Sequence, residues 1–295
     1  MTTSQGDLDD AVAIFTSVRP RLFGIAYRML SSAAEAEDLL QEVWVRWQTT
    51  DRSVVVNPGA FLATATTRMA INALRSARVR RESYVGPWLP EPVDTSADPY
   101  LGAERGEALE FATLMLMEKL SANERAAYVL REAFDYPYDQ IAQILNSTEP
   151  AVRQLVSRAR RHVTEERHAP VAADAQRELL DAFIAAARTG QVSALEQLFA
   201  TGVTSFSDGN GRVRVARTPI VGTERVTKFL AAISSWFWAD VDLRFVSVNG
   251  QTSVVVHHGG AVRCVFTIGA SAGGIDHVLW MFNPDKIGAI SSRAA

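Results

Sequence analysis

Apolar residues recur at helical spacing through the first part of the chain. From Glu35 to Trp47, Leu39, Leu40, Val43, Trp44 and Trp47 fall on one side, with Glu35, Asp38, Gln41 and Glu42 largely on the other. This pattern predicts an amphipathic helix. Asn57-Pro58-Gly59 signals a break, and Phe61 to Arg81 then reads as one helix carrying Arg68, Arg75, Arg78, Arg80 and Arg81. Residues 84–102 hold four prolines and three aromatics, which predicts an extended linker rather than a helix. Tyr84 and Trp88 lie beside Pro87, Leu89 and Pro90, so the linker is expected to dock on something. Helical character returns over 105–168, with an apolar, Met-rich run from Leu109 to Leu120. Ser121 has Glu124 at capping-box spacing, and Tyr136-Pro137-Tyr138 interrupts the pattern.

Residues 139–163 are the most informative. A short helix from Asp139 to Leu145 is expected to bury Ile141, Ala142 and Leu145. Asn146-Ser147-Thr148 forms the turn, and Ser147 or Thr148 caps the next helix. Pro150 is tolerated in that helix's first turn, where its missing donor costs little. Val152, Leu155, Val156 and Ala159 then form an inward stripe, leaving Arg153, Gln154, Ser157, Arg158, Arg160 and Arg161 mostly outward. Two short helices, a tight turn and an arginine-rich second helix describe a helix-turn-helix whose second helix enters the major groove. There an arginine reads guanine with two hydrogen bonds.

From 171 the period changes. Leu179, Leu180, Phe183, Ile184 and Ala187 predict one helix and Val192–Phe199 another. Apolar runs follow at 203–206 and 213–217, a helix from about Thr223 to Ser235, and β-type runs at 241–248, 252–258, 261–268 and 275–282. Two helices, two strands, a helix and four strands predict an α+β domain whose curved sheet encloses a pocket. Trp236, Trp238, His257, His258, Asp276, His277 and Trp280 are candidates near it. An Asp or His there would serve a proton-transfer enzyme, provided it reached a bound substrate. His257-His258 is a poor metal pair, because adjacent strand residues point to opposite faces. No other metal spacing and no phosphate-binding glycine loop is present, and no cofactor is expected.

The net charge of −3 hides strong segregation. Residues 1–51 carry eight acids and four arginines, whereas 52–81 carry six arginines and no acid. Residues 82–124 return to nine acids against two bases. Phosphate binding needs a local positive surface rather than a positive total, and the acidic blocks suit a basic protein partner. The acidic N-terminus lacks the features of a signal peptide, no apolar run reaches membrane-spanning length, and Cys264 stands alone. A cytoplasmic protein without membrane contact is expected, with Cys264 a buried core residue.

These residues resemble a known family. Leu22 to Trp47, above all Glu37-Asp38-Leu39-Leu40-Gln41-Glu42-Val43-Trp44, is similar to the core-polymerase-binding segment of extracytoplasmic-function sigma factors. Thr67 to Arg75 resembles their −10-element helix, and Leu120 to Val163 their −35-element helix-turn-helix. The linker Trp88-Leu89-Pro90-Glu91-Pro92, the loop Asp208 to Arg212 and Asn283-Pro284-Asp285-Lys286 resemble a subgroup with a fused SnoaL/NTF2-like domain. Asn72 stands where that family usually has Asp, and the loop ends Asn-Gly-Arg rather than Gly-Gly-Lys.

The resemblance implies a multi-domain chain: region 2 over 1–83, a Pro-rich linker over 84–104, region 4 over 105–168, and a regulatory domain over 171–295. It implies core RNA polymerase and promoter DNA as partners, with room for a small ligand in the C-terminal pocket. Asp38, Leu39, Gln41, Glu42 and Trp44 would meet the polymerase. Arg68, Asn72, Arg75, Arg78 and Arg80 would meet the −10 element, and Arg153, Gln154, Ser157, Arg158 and Arg161 the −35 element. Trp88, Leu89, Pro90, Glu91, Asp208, Arg212, Asn283, Pro284, Asp285 and Lys286 would join linker to regulatory domain, with Trp88 buried and Glu91 pairing with Arg212 or Lys286. No catalytic residue is implied. Two rivals stay open: a ligand-responsive helix-turn-helix regulator with an NTF2-like sensor, and a ketosteroid-isomerase-type enzyme with a helical extension. A solvated arginine face is the plain alternative for each basic helix.

Overall fold

The computed structural model describes residues 5–96, 109–166 and 169–293. The described residues fall into two compact units.

The first unit is helical. It holds α1 (Gln5–Leu30), α2 (Ala33–Thr49) and α3 (Pro58–Glu82), then α4 (Phe111–Met117), α5 (Ala122–Tyr128), α6 (Tyr138–Leu145) and α7 (Glu149–Glu166). Ser32 starts α2 by accepting the Glu35 N–H at 3.2 Å. The inner stripe of α2 is Ala36, Leu39, Leu40, Val43 and Trp47, and the Trp47 indole, fully buried, donates to the Ala11 carbonyl at 3.2 Å. The expected capping box is present: Ser121 and Glu124 exchange hydrogen bonds at the start of α5.

In the helix-turn-helix, α6 ends at Asn146, whose φ of 48° reverses the chain. Thr148 then accepts the Ala151 N–H at the start of α7. The core of α6 is Ile141, Ala142 and Ile144. Leu145, expected inside, is half-exposed, because the helix turns left-handed one residue later and carries it away from the core. Val152, Val156, Ala159 and Val163 form the buried stripe of α7, with Leu155 at its margin.

The second unit begins with the linker from Ser83 and resumes at Ala169. Helices α8 (Ala173–Thr189) and α9 (Val192–Leu198) precede β1 (Phe199–Asp208), β2 (Ile220–Val221) and α10 (Thr223–Phe237). Then come β3 (Val241–Val248), β4 (Gln251–His258), β5 (Ala261–Ser271), β6 (Gly274–Met281) and α11 (Pro284–Arg293). The sheet order is β2-β1-β6-β5-β4-β3, with β1 parallel to β6 and the other pairs antiparallel. Its concave face packs on α8 and α10 through Phe183, Phe199, Phe237, Trp238, Phe266 and Trp280.

Two expectations need correction. The run 213–217 is a loop, not a strand, and the paired strand is the short Ile220–Val221. The motif at 283–286 opens a helix, α11, that apolar periodicity did not reveal. Cys264 is buried in the core, and desolvation pushes its thiol well above the usual range, as expected of an inert residue.

Candidate nucleic-acid and interdomain sites

On α2, Asp38, Gln41 and Glu42 are exposed beside Val45, and Trp44 is half-buried with its ring 5.1 Å from that of Phe15. Leu39, expected at a partner surface, lies 5% exposed in the inner stripe, so it supports the acidic face from behind.

On α3, Arg68, Asn72 and Arg75 are exposed, whereas the Arg78 and Arg80 side chains lie outside the described residues. Arg68 is engaged. Its guanidinium donates to the Ile144 carbonyl (2.8 Å), the Gln143 carbonyl (2.9 Å) and Asn146 Oδ1 (2.8 Å), at the C-terminal end of α6. The basic helix α3 is therefore bonded to the turn of the helix-turn-helix.

A second contact joins the same modules. Glu118 bonds Arg81 of α3 and Arg125 of α5, and the fully buried Arg125 also donates to the Arg28 carbonyl (2.9 Å) and Ser31 Oγ. Burial opposes ionisation of Glu118, but the Arg125 and Arg81 cations outweigh it and hold its carboxyl below the usual range.

On α7, Arg153, Gln154, Ser157, Arg158 and Arg161 are all exposed. Arg153 lies 4.2 Å from the Tyr138 ring centre and pairs with Glu149, while Arg158 pairs with Glu124 at 2.9 Å. Burial would raise the Glu124 carboxyl, but bonds from Ser121 and Arg158 lower it to about 2.

The linker is built into the second unit around Asp208. That buried carboxylate accepts the Tyr84 hydroxyl, the Leu89 N–H (2.9 Å) and Lys286 Nζ (2.7 Å). Lys286 also donates to the Leu89 carbonyl and lies 4.1 Å from the Trp88 ring centre and 5.0 Å from that of Tyr84. Asn283 donates to the Tyr84 hydroxyl at 2.9 Å. Burial, together with the Asp208 charge, pushes the Tyr84 phenol far up, so it remains a donor.

Further along, Asp94 bridges Val248, and Thr95 donates to the Ser247 carbonyl at 3.0 Å, so the linker covers the end of edge strand β3. The residue fully buried is Leu89. Trp88 is half-buried, held as a face for the Lys286 cation. Pro90 and Glu91 are buried, Pro284 is exposed, and Arg212 pairs with Asp285 at 3.1 Å. Sequence reasoning missed Tyr84 as a hydrogen-bonding partner of Asp208 and the contacts of Arg68, Arg81, Glu118 and Arg125. Partners this far apart in sequence leave no periodic trace.

Comparison with known proteins agrees with this anatomy. Residues 14–80 match the model for Sigma-70 region 2, and residues 111–163 that for Sigma-70, region 4. The chain is 36% identical over 228 residues to the ECF RNA polymerase sigma factor SigJ of Mycobacterium tuberculosis, covering 75% of this chain and 72% of that one. It belongs to the ECF RNA polymerase sigma factors. A probable ECF RNA polymerase sigma factor SigI of the same organism is 28% identical over 95% of both chains. The crystal structure of M. tuberculosis SigJ aligns over 94% of this chain and 98% of that one, with a TM-score of 0.75 and 30% identity.

As an ECF sigma factor the chain directs core RNA polymerase to promoters and initiates transcription, and the expected fold class stands: two helical sigma modules and an α+β domain. Among the described residues no helix is long and apolar enough to cross a membrane, and no cluster of three or more His, Cys, Asp or Glu could hold a metal.

The C-terminal domain of this sigma factor contains a cavity of about 320 Å³ between α10, the 213–216 loop, β5 and β6. Of the expected candidates, Trp236 and Trp280 line it. Trp238 belongs to the core, and His257, His258, Asp276 and His277 are absent from the lining, so the expected acid–base groups do not converge there.

Proposed function

We propose that this sigma factor is regulated in cis, its C-terminal domain holding the segment that joins its two DNA-reading modules. The observation that carries this reading is Asp208, a fully buried carboxylate whose partners are the linker residues Tyr84 and Leu89 and the domain's own Lys286. Asp38, Gln41, Glu42 and Trp44 meet core polymerase, with Leu39 as their support. Arg68, Asn72, Arg75, Arg78 and Arg80 serve the −10 element. Arg153, Gln154, Ser157, Arg158 and Arg161 serve the −35 element, in the cytoplasm where promoters are. The role is read as that of an initiation factor rather than a catalyst, which the family supports.

The compact helical unit is the resting form. Elements about 25 base pairs apart lie ~85 Å apart along the duplex. A −10 helix whose Arg68 touches the turn of the −35 reader at 2.8 Å cannot serve both at once. Engagement of a promoter therefore requires the modules to separate, and the linker sets the geometry in which they do.

The test is run-off transcription with core polymerase and full-length variants. Asp208→Asn and Lys286→Met, each leaving a buried group with an unmatched partner, should release the linker and lower the yield several-fold. Yields equal to the parent, with linker release verified by faster amide exchange at Leu89, would refute regulation through this contact.

A further inference from the structure

The cavity in the C-terminal domain has a definite chemical character. Phe229, Ile233, Trp236, Phe237, Trp280 and Phe282 make most of its wall, and Trp236 is 56% exposed beside it. The charged groups are of one sign, Arg214 and Arg263, and the remaining polar side chain is the Ser207 hydroxyl.

Arg263 is half-buried, donates one N–H to the Phe237 carbonyl at 3.1 Å, and lies 4.7 Å from the Phe237 ring centre and 5.5 Å from that of Trp236. Among the described residues no carboxylate pairs with it. Arg214 lines the cavity from the loop. Trp280 Nε1 is buried with no hydrogen-bond partner, an orphan donor in a lining residue that is 2% exposed. Aromatic walls offering cations and no acid select a flat apolar body carrying negative charge. The volume lies at the small end of ligand sites and leaves room for a bicyclic ring system with its charged group.

We infer that this cavity is a binding site for a small aromatic carboxylate, with the rings stacked among Phe237, Trp280 and Phe282 and the carboxylate on Arg263, closed over by Arg214. The site adjoins the linker dock. Ser207 lines the cavity, and the next residue is Asp208. The lining loop 213–216 is flanked by Gly211 and Arg217. Gly211, at φ 68°, has Val85 packed where a Cβ would stand, at 3.3 Å, and the Arg217 backbone lies against Gly86. Filling the cavity therefore biases the loop that the linker rests on, and this coupling rests on the regulatory reading above.

The experiment uses the full chain and 2-naphthoate as probe, with naphthalene-2-carboxamide as its uncharged counterpart, followed by calorimetry. One-to-one binding of the carboxylate, at least tenfold tighter than the amide, is expected. Arg263→Met should bring the two ligands to equal affinity, and Ala216→Trp, which fills the cavity from the loop without touching the core, should abolish both. Absence of saturable binding up to millimolar probe, or equal affinity for the two ligands in the parent protein, would overturn the site. Amide exchange at Leu89 reads the coupling separately: it should change at least threefold on saturation. Binding with unchanged exchange would support the site and overturn the coupling, whatever transcription does.

Discussion

Glu118 joins the two helical modules, and its removal should let them part. Glu118→Ala leaves Arg81 and the fully buried Arg125 with backbone and hydroxyl acceptors but without their shared counter-ion. Removing one member of a buried ion pair costs about 3–5 kcal/mol. The Glu118 side chain keeps 22% exposure, and both arginines keep acceptors, so about 2 kcal/mol is expected here. Since about 1.4 kcal/mol is tenfold, the ratio of open to closed modules should rise roughly thirtyfold.

Amide exchange over Arg28–Ser31 and Ala122–Tyr128 should accelerate accordingly. Affinity for a promoter fragment carrying both elements should rise, because more of the protein is competent to bind. The effect has a pH signature. Glu118 is held below its ordinary range, so its contribution is complete above the unfolded value of about 4.3 and is lost as pH falls through the folded one. The stability difference between parent and Glu118→Gln should therefore be flat above about pH 5 and shrink below it. Unchanged exchange at both segments would refute the idea that this cluster holds the modules together. Faster exchange through all of α4–α7 with no gain in promoter affinity would make Glu118 a support of the helix-turn-helix alone.

Two other outcomes test the partner surfaces. The double change Asp38→Lys with Glu42→Lys reverses charge on an exposed face and should weaken core-polymerase binding while leaving thermal unfolding unchanged, checked by titration against core enzyme. Arg153→Ala should relax preference at one or two −35 positions by about 1–3 kcal/mol, whereas Arg75→Ala should weaken binding evenly and flatten its salt dependence; footprints placing both effects at one element would refute the division.

What the sequence made legible is what repeats locally. The α2 stripe, the Ser121–Glu124 box and the α6–α7 turn each follow from residues within one or two turns of each other. The four strands β3–β6 were visible as β-type runs of the right length. Val213, Val215 and Ala216 were misread because apolar residues that line a cavity from a loop look in sequence like those of a short strand. The parallel pairing of β1 with β6 joins Ser205 to Val278, and no periodicity relates residues so distant. The same applies to Asp208. The loop and the Asn-Pro-Asp-Lys motif pointed to the right segments, but which carboxylate Lys286 would take was settled by burial: Asp208 is fully buried and Asp285 faces solvent beside Arg212.

Charged side chains take a prominent part in the contact between the helical modules. Arg68 reaches the end of α6, the Glu118 cluster joins Arg81 to Arg125, and Arg21 lies 4.9 Å from the Tyr136 ring centre, beside Phe134 packed over Gly24. The charged part of the contact fits a junction that opens on the proposed reading. Separating apolar faces in water costs about 25 cal/mol per Å² with nothing returned. A guanidinium or carboxylate leaving a buried pair regains its hydration, which offsets much of the attraction lost. Each arginine set free is also a phosphate ligand, so on the proposed reading promoter DNA supplies the replacement partner. Arg68 makes the case most directly. While three of its five N–H groups are held by Gln143, Ile144 and Asn146, that cation is withheld from the proposed −10 helix, and on the same reading release of the helix-turn-helix would restore it.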